Sequence, residues 1–111
     1  MKLIILSLFI LSNSYSYSQI LSGEIVDFGR KLITETDFQL KGLTSGEVVY
    51  DISVDIYGNV TSSSLVQSMT TIKSTPLRMD AKNLINTFKF EAGNGFPKFH
   101  HAKIKITFSD K

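Results

Sequence analysis

The chain has 111 residues, of which 42% are hydrophobic and 20% charged, and it contains no cysteine. Such a composition is typical of one small globular domain. The 12 basic and 10 acidic residues give a formal net charge of +2, which argues against a strongly cationic nucleic-acid binder. The lack of cysteine excludes thiol catalysis, disulfides and thiolate metal sites. Function must therefore be read from the order of the segments.

Residues 1–18 have the pattern of a secretory signal peptide. Lys2 precedes an apolar run over residues 3–11, and a serine-rich stretch then ends in the small residues Ser16 and Ser18. The apolar run is about half the length of a membrane-spanning helix, which needs roughly twenty apolar residues. We therefore expect export, cleavage after Ser18 and no stable membrane span. An uncleaved membrane anchor and a buried core segment are the alternatives.

Residues 19–45 are predicted to form an N-terminal helix and a connection. The apolar spacing predicts about three helical turns, with Ser22 as the N-cap and with Arg30 near the helix end, where its charge suits the helix dipole. The apolar positions on this helix face are Ile25, Phe28, Leu32 and Ile33. Residues 34–45 mix polar residues with glycine and predict a connection that includes at most a short extended piece.

Three later segments alternate between apolar and polar residues and are predicted to be strands: residues 47–56, 60–69 and 100–108. The turn residues Tyr57, Gly58 and Asn59 join the first two strands into a hairpin. The second strand has mixed polarity, which predicts a sheet edge or a bulge.

A second helix is predicted between the hairpin and the last strand. Ser74 is its cap, Pro76 occupies the first turn, and residues 93–97 end it with glycine and proline. The helical crossover places the third strand beside the first and antiparallel to it. We predict an α+β fold with a three-stranded antiparallel sheet in the order second-first-third and two helices on one face.

Charge patterning supports the pairing of the first and third strands. Asp51 and Asp55 lie on the polar face of the first strand, and Lys103 and Lys105 lie on that of the third. Opposite charges on neighbouring strands stabilise a sheet by about 0.2–1 kcal/mol for each pair.

No group of residues predicts catalysis. His100 and His101 are adjacent on a strand and therefore point to opposite faces, which prevents them from chelating one ion. Asp51 and Asp55 share a strand face, yet lysine partners are available to them and no cleft is evident. Residues 93–95 are glycine-rich but follow a helix instead of preceding one, so they do not match a phosphate loop. We expect no enzymatic activity, no cofactor and no metal site.

Several motifs occur in a fixed order along residues 46–108. A hairpin turns at Gly58-Asn59, the second helix contains Met79-Asp80-Ala81 and ends near Phe88-Lys89-Phe90, and Gly95-Phe96-Pro97 precedes a closing strand over residues 103–108. This order resembles the C-terminal domain of TonB, the energy transducer of Gram-negative bacteria. The family's Tyr-Pro motif ahead of the first strand is replaced by Phe38-Gln39-Leu40. The resemblance implies a stand-alone short form of the TonB-like fold.

The resemblance and the predicted sheet together favour a binding function. In a three-stranded sheet the third strand is an exposed edge, to which an extended peptide can add. We expect a non-enzymatic periplasmic protein that binds an outer-membrane or envelope protein, such as a TonB-dependent receptor, and secretion beyond the outer membrane stays open. The predicted partner-binding residues are His101, Lys103, Lys105 and Thr107. The alternatives are a self-associating envelope domain, which would form a homodimer, and a minimal energy transducer anchored by residues 3–11.

Overall fold

A computed structural model describes residues 19–110. The predicted signal peptide, residues 1–18, lies outside the described residues. The helices and strands that follow are β1 Ile20–Ser22, α1 Glu24–Asp27, β2 Gln39–Lys41, β3 Gly46–Val54, β4 Val60–Leu65, α2 Thr75–Asn86 and β5 His100–Ser109. A short 3-10 turn, Gln67–Met69, follows β4.

The sheet has five strands, so the prediction of a three-stranded sheet is wrong. The strand order is β1-β5-β3-β4, and β2 also pairs with β5. The three predicted strands lie side by side as β4-β3-β5 and are antiparallel. The additional strands come from residues 19–45, which were predicted to be a helix and a connection. Of these two strands, β1 runs antiparallel to β5 and β2 runs parallel to it.

The first helix is one turn long, not the three turns that the apolar spacing predicts. It ends because Gly29 adopts a left-handed φ of 69°. The Gly29 amide donates to the Val26 carbonyl at 3.0 Å, and the Arg30 amide donates to the Ile25 carbonyl at 3.1 Å. This pair of bonds is the Schellman arrangement, in which a glycine just past the helix redirects the chain. Ser22, the predicted cap, belongs to β1 instead.

The second helix begins as predicted. The Ser74 side chain accepts a hydrogen bond from the Leu77 amide at 3.4 Å, and Pro76 lies in the first turn. Ala81 and Ile85 are the buried positions of α2. Among residues 19–110, no helix has the length and apolar character needed to cross a membrane.

The core lies between one face of the sheet and the two helices. On that face, Val48 of β3 is opposite Ile106 of β5, and this pattern of apolar pairs continues along both strands. Ile25 of α1 and Ile85 of α2 belong to the same buried cluster. Burying one such side chain contributes about 1.5–3 kcal/mol, and a shift of one residue in the pairing would turn the apolar residues toward solvent. The register of β3 and β5 is therefore strongly determined.

Replacing Gly29 with alanine should lower the free energy of unfolding by about 1 kcal/mol, because alanine is strained in the left-handed region. Nothing lies within 4 Å of a Cβ built at this position, so a steric clash adds no cost. Urea denaturation followed by circular dichroism measures the effect. Gly95→Ala is the matched control, since its surroundings are equally open and its φ lies outside the left-handed region. Unchanged stability of Gly29→Ala would contradict the role assigned to this glycine.

Candidate functional site

The four residues predicted to bind a partner lie on the outward face of the sheet. They are His101, Lys103, Lys105 and Thr107, which alternate along β5 with buried residues. Lys103 Nζ lies 3.2 Å from Asp51 Oδ1, which confirms that predicted charge pair. Lys105 Nζ lies 3.7 Å from Glu47 Oε2. Both pairs are partly exposed, and exposed ion pairs of this kind contribute only about 0–1 kcal/mol each.

The prediction that Asp55 faces the lysines of β5 is wrong, because Asp55 lies beyond the end of β3. Its Oδ1 atom accepts hydrogen bonds from the Tyr57 amide at 3.0 Å and from the Asn59 amide at 2.9 Å. Gly58 takes a left-handed φ of 88° in the same turn, and a Cβ at this glycine would lie 2.0 Å from the Phe90 carbonyl oxygen. The Asp55 carboxylate therefore closes the β3–β4 turn.

β5 is not an edge strand, contrary to the premise of the predicted binding site. The Lys105 amide donates to the Gln19 carbonyl at 3.0 Å, and the Thr107 amide donates to the Phe38 carbonyl at 2.9 Å. Closer to the start of β5, the His101 amide donates to Glu24 Oε1 at 3.3 Å. Residues 19–42 thus occupy the side of β5 that faces away from β3. A role for the four predicted side chains in binding stays a prediction, but a partner strand cannot use this side of β5 while those residues are in place.

β4 is the longest described strand with a free side. It has six residues, pairs with β3 and ends the strand order of the sheet. The Val66 amide donates to the Val49 carbonyl at 2.8 Å. The alternation of an antiparallel ladder then directs the backbone groups of Ser64 toward β3 and those of Ser63 and Leu65 away from it. Both residues direct an N–H and a C=O group toward the open side.

The open part of this side consists of residues 61–65, which we call the β4 edge. Before it, Phe90 donates its amide to the Gly58 carbonyl at 2.8 Å, so the chain after α2 covers the approach to β4. The residues of the β4 edge are exposed or half-buried. The pairing with β3 also shifts between Ser53 and Val54. β4 is therefore both an edge strand and bulged, which confirms the prediction from its mixed polarity.

A buried arginine links four separate parts of the chain. Arg30 is 1% exposed, and its Nε donates to the Glu91 carbonyl at 2.7 Å. Its Nη2 donates to the Asp55 carbonyl at 2.7 Å, and its Nη1 lies 3.1 Å from Nδ1 of His100. Its guanidinium carbon also lies 4.1 Å from the centre of the Phe96 ring. Arg30 thus connects the end of α1 to the β3–β4 turn, the loop before β5 and β5 itself.

Sequence reasoning missed this cluster because it placed Arg30 near the end of a three-turn helix. The left-handed Gly29 turns the chain just before Arg30, and no periodicity of apolar residues reports that turn. The sequence signal that would have helped is the glycine itself, which is the commonest residue at a helix C-terminus.

His100 is the second buried polar residue of the cluster, with 0% exposure. Its ring packs edge-on against Phe28, with centroids 4.9 Å apart, and stacks on Phe96 at 5.8 Å. Because arginine can only donate, Nδ1 of His100 must be the acceptor, and the proton of the neutral ring is on Nε2. The backbone of Glu24 lies near the ring, but no atom of residues 19–110 meets Nε2 with hydrogen-bond geometry.

Burial lowers the pKa of His100, and the charge of Arg30 lowers it further, whereas Glu24 opposes the shift. Burial also lowers the pKa of Arg30, while the carboxylates of Asp55 and Glu91 raise it. The cluster therefore holds one cation beside a neutral imidazole. Its geometry suits the joining of chain segments, since every polar contact described above is made to another part of the same chain.

The described residues offer little else that resembles a chemical site. No group of three or more histidine, aspartate and glutamate side chains is placed to hold a metal ion among residues 19–110. An open depression of about 470 Å³ lies beside β2 and α2. Its lining residues are Lys41, Gly42, Leu43, Leu77, Ser109 and Asp110.

Comparison of the chain with protein-family models, with curated proteins and with solved structures gave no match. The resemblance of residues 46–108 to the TonB C-terminal domain therefore stays a prediction from the motifs. The β4 edge is the candidate site that the geometry itself defines.

Acid should destabilise the fold through His100. The unfolded histidine titrates near pH 6.5, and the folded one titrates lower, so the unfolded state binds more protons as the pH falls below about 6.5. Between the two pKa values the free energy of unfolding should fall by up to about 1.4 kcal/mol per pH unit.

Urea titrations between about pH 7.5 and 5.5 measure this dependence. We expect His100→Gln to remove this part of the slope, because glutamine can still accept a bond from Arg30 but does not titrate. The exposed neighbour provides the control, and His101→Gln should keep the slope. An unchanged slope in His100→Gln would show that other groups are responsible.

Proposed function

We propose that this protein is a non-enzymatic binding module of the bacterial envelope that captures an extended segment of an envelope protein by strand addition at the β4 edge. The observation that carries the proposal is that, within residues 19–110, no strand pairs with the outward backbone groups of Ser63 and Leu65. An edge with free N–H and C=O groups is a template for a further strand. The motifs shared with the TonB C-terminal domain support the same class of function. The proposal also includes the periplasmic location expected from residues 1–18.

Both its length and its position favour β4 as the binding strand over the other strands with a free side. β1 and β2 have three residues each, against six in β4. A partner strand on β4 could also extend the sheet without displacing any described part of the chain. On β5, by contrast, it would first have to displace residues 19–42.

Self-association is the second candidate function, because a free strand edge can also pair with its own copy. Two β4 edges related by a twofold axis would pair antiparallel and form a single continuous sheet. Sedimentation of the purified protein over a range of concentrations distinguishes this alternative. A dimer that Ser63→Pro dissociates would favour self-association, and a monomer at every concentration would contradict it.

The variant Ser63→Pro should weaken partner binding by about tenfold or more, because proline removes the outward N–H and places its ring where the partner strand would lie. The fold should tolerate it, since the N–H of Ser63 points away from β3 and does not contribute to the ladder. Ser63→Ala is the matched control, because alanine keeps the N–H. A photo-reactive side chain at exposed Ser64 reports binding in intact cells through crosslinks to envelope proteins.

We expect the crosslinks from Ser64 to persist in Ser63→Ala and to disappear in Ser63→Pro, with both variants giving the wild-type circular dichroism spectrum. Crosslinks that survive in folded Ser63→Pro would contradict strand addition at the β4 edge. Determination of the N-terminus of the same cellular protein tests the location. A start near Gln19 in the periplasmic fraction supports export, and an intact Met1 in the inner membrane contradicts it.

A further inference from the structure

The side of α2 that faces the β4 edge is basic. The Ser63 hydroxyl lies 3.4 Å from Asn86 Oδ1, which places Asn86 beside the edge. Lys82 is four residues earlier in α2 and Arg78 four residues before that, so all three share one side of the helix. We call Arg78, Lys82 and Asn86 the basic flank.

The direction of α2 aligns this flank with β4. The Tyr50 hydroxyl donates to the Arg78 carbonyl at 2.8 Å, and Tyr50 is paired with Leu65 at the end of β4. At the other end, Lys89 Nζ donates to Asn59 Oδ1 at 2.6 Å, just before β4 begins. α2 therefore runs antiparallel to β4, and the flank extends beside the open edge.

Among residues 19–110, no described ion pair engages the basic side chains of this flank. The described ion pairs of the chain engage Lys103 and Lys105, on the outward face of the sheet. β4 contains no charged residue, and Asp80 is the acid of α2. Asp80 is two positions from Lys82, which places it on nearly the opposite side of the helix. Within residues 19–110, the Lys82 side chain has no described hydrogen bond or ion pair, so its ammonium group is available to a ligand.

From this arrangement we propose that the surface formed by the β4 edge and the basic flank of α2 selects extended peptide segments with acidic side chains at alternate positions. The proposal rests on the binding function assigned to the β4 edge and adds the chemistry of the partner. An added strand would direct every second side chain toward the helix and the others toward the exposed serines of the outward face.

The spacing of the two elements fits such a ligand. Alternate residues of a strand are about 6.7 Å apart, and four residues of a helix rise by about 6 Å. Successive acidic side chains on the helix side would therefore meet Lys82 and then Arg78. The Arg78 Nε atom is engaged with the Ile72 carbonyl at 2.7 Å, which fixes the guanidinium, so the free ammonium of Lys82 should contribute most of the selectivity.

A set of three synthetic peptides tests the inference on the purified exported protein. The first is a fluorescent seven-residue peptide that alternates glutamate with threonine, the second has glutamine in place of glutamate, and the third has lysine. We expect fluorescence anisotropy to show the glutamate peptide binding about fivefold more tightly than the glutamine peptide. The lysine peptide should bind most weakly, and added salt should reduce these differences.

Charge reversal on the protein locates the selectivity. Lys82→Glu should abolish the preference for glutamate and favour the lysine peptide. Lys98→Glu is the matched control, because it makes the same change in net charge in the loop before β5, and it should leave the order of the peptides unchanged. A preference lost equally in both variants would mean that overall charge governs binding, and would overturn the role of the basic flank.

Ser63→Pro separates this inference from the function on which it rests. Equal binding of the three peptides that Ser63→Pro abolishes would overturn acidic selectivity while strand addition stands. Preferential binding of the glutamate peptide that Ser63→Pro leaves intact would overturn strand addition at the β4 edge, and with it the proposed binding surface. The absence of binding by all three peptides at millimolar concentration would overturn the proposed ligand class.

Discussion

The architecture depends on the hydrogen bonding of β5 along both of its sides. β3 takes one side over its whole length, and residues 19–42 take the other in several short pieces. A buried strand whose amides lacked partners would destabilise the fold, because each unpaired group costs about 1–3 kcal/mol. The N-terminal segment therefore completes the sheet, although it contributes only three residues in each of its strands.

The Arg30 cluster explains how so little regular structure holds that segment in place. A three-residue strand forms few bonds, but the turn at Gly29 brings an arginine between β5 and the two loops beside it. A cation buried this deeply is stable only when its donors are met and its charge is compensated. The backbone carbonyls of Asp55 and Glu91 and the ring of Phe96 supply that environment. Polar contacts of one side chain thus supplement the apolar contacts of Ile20 and Ile25.

The elements that the sequence predicted well are those whose pattern is local. The alternation in β3 and β5, the cap at Ser74 and the mixed polarity of β4 each depend on neighbours within a few residues, and the structure contains all of them. The N-terminal segment was predicted wrongly because contacts with residues far along the chain determine its conformation. The pairing of Ile20 with Ile104 joins residues far apart in the chain, and a three-residue strand carries no periodicity that could reveal it. The same holds for the candidate site. The mixed polarity of β4 indicated an edge strand, whereas no pattern in the sequence indicated that residues 19–42 pair with β5.

The central place of β5 also affects the order in which the protein can fold. β5 is the last described strand, yet β1, β2 and β3 all pair with it. Contacts between such distant residues make folding slow, because a long loop must close before any of them forms. During synthesis, the N-terminal strands therefore have no pairing partner until β5 has emerged. For the export proposed above, this delay would keep the chain competent for translocation until β5 is complete.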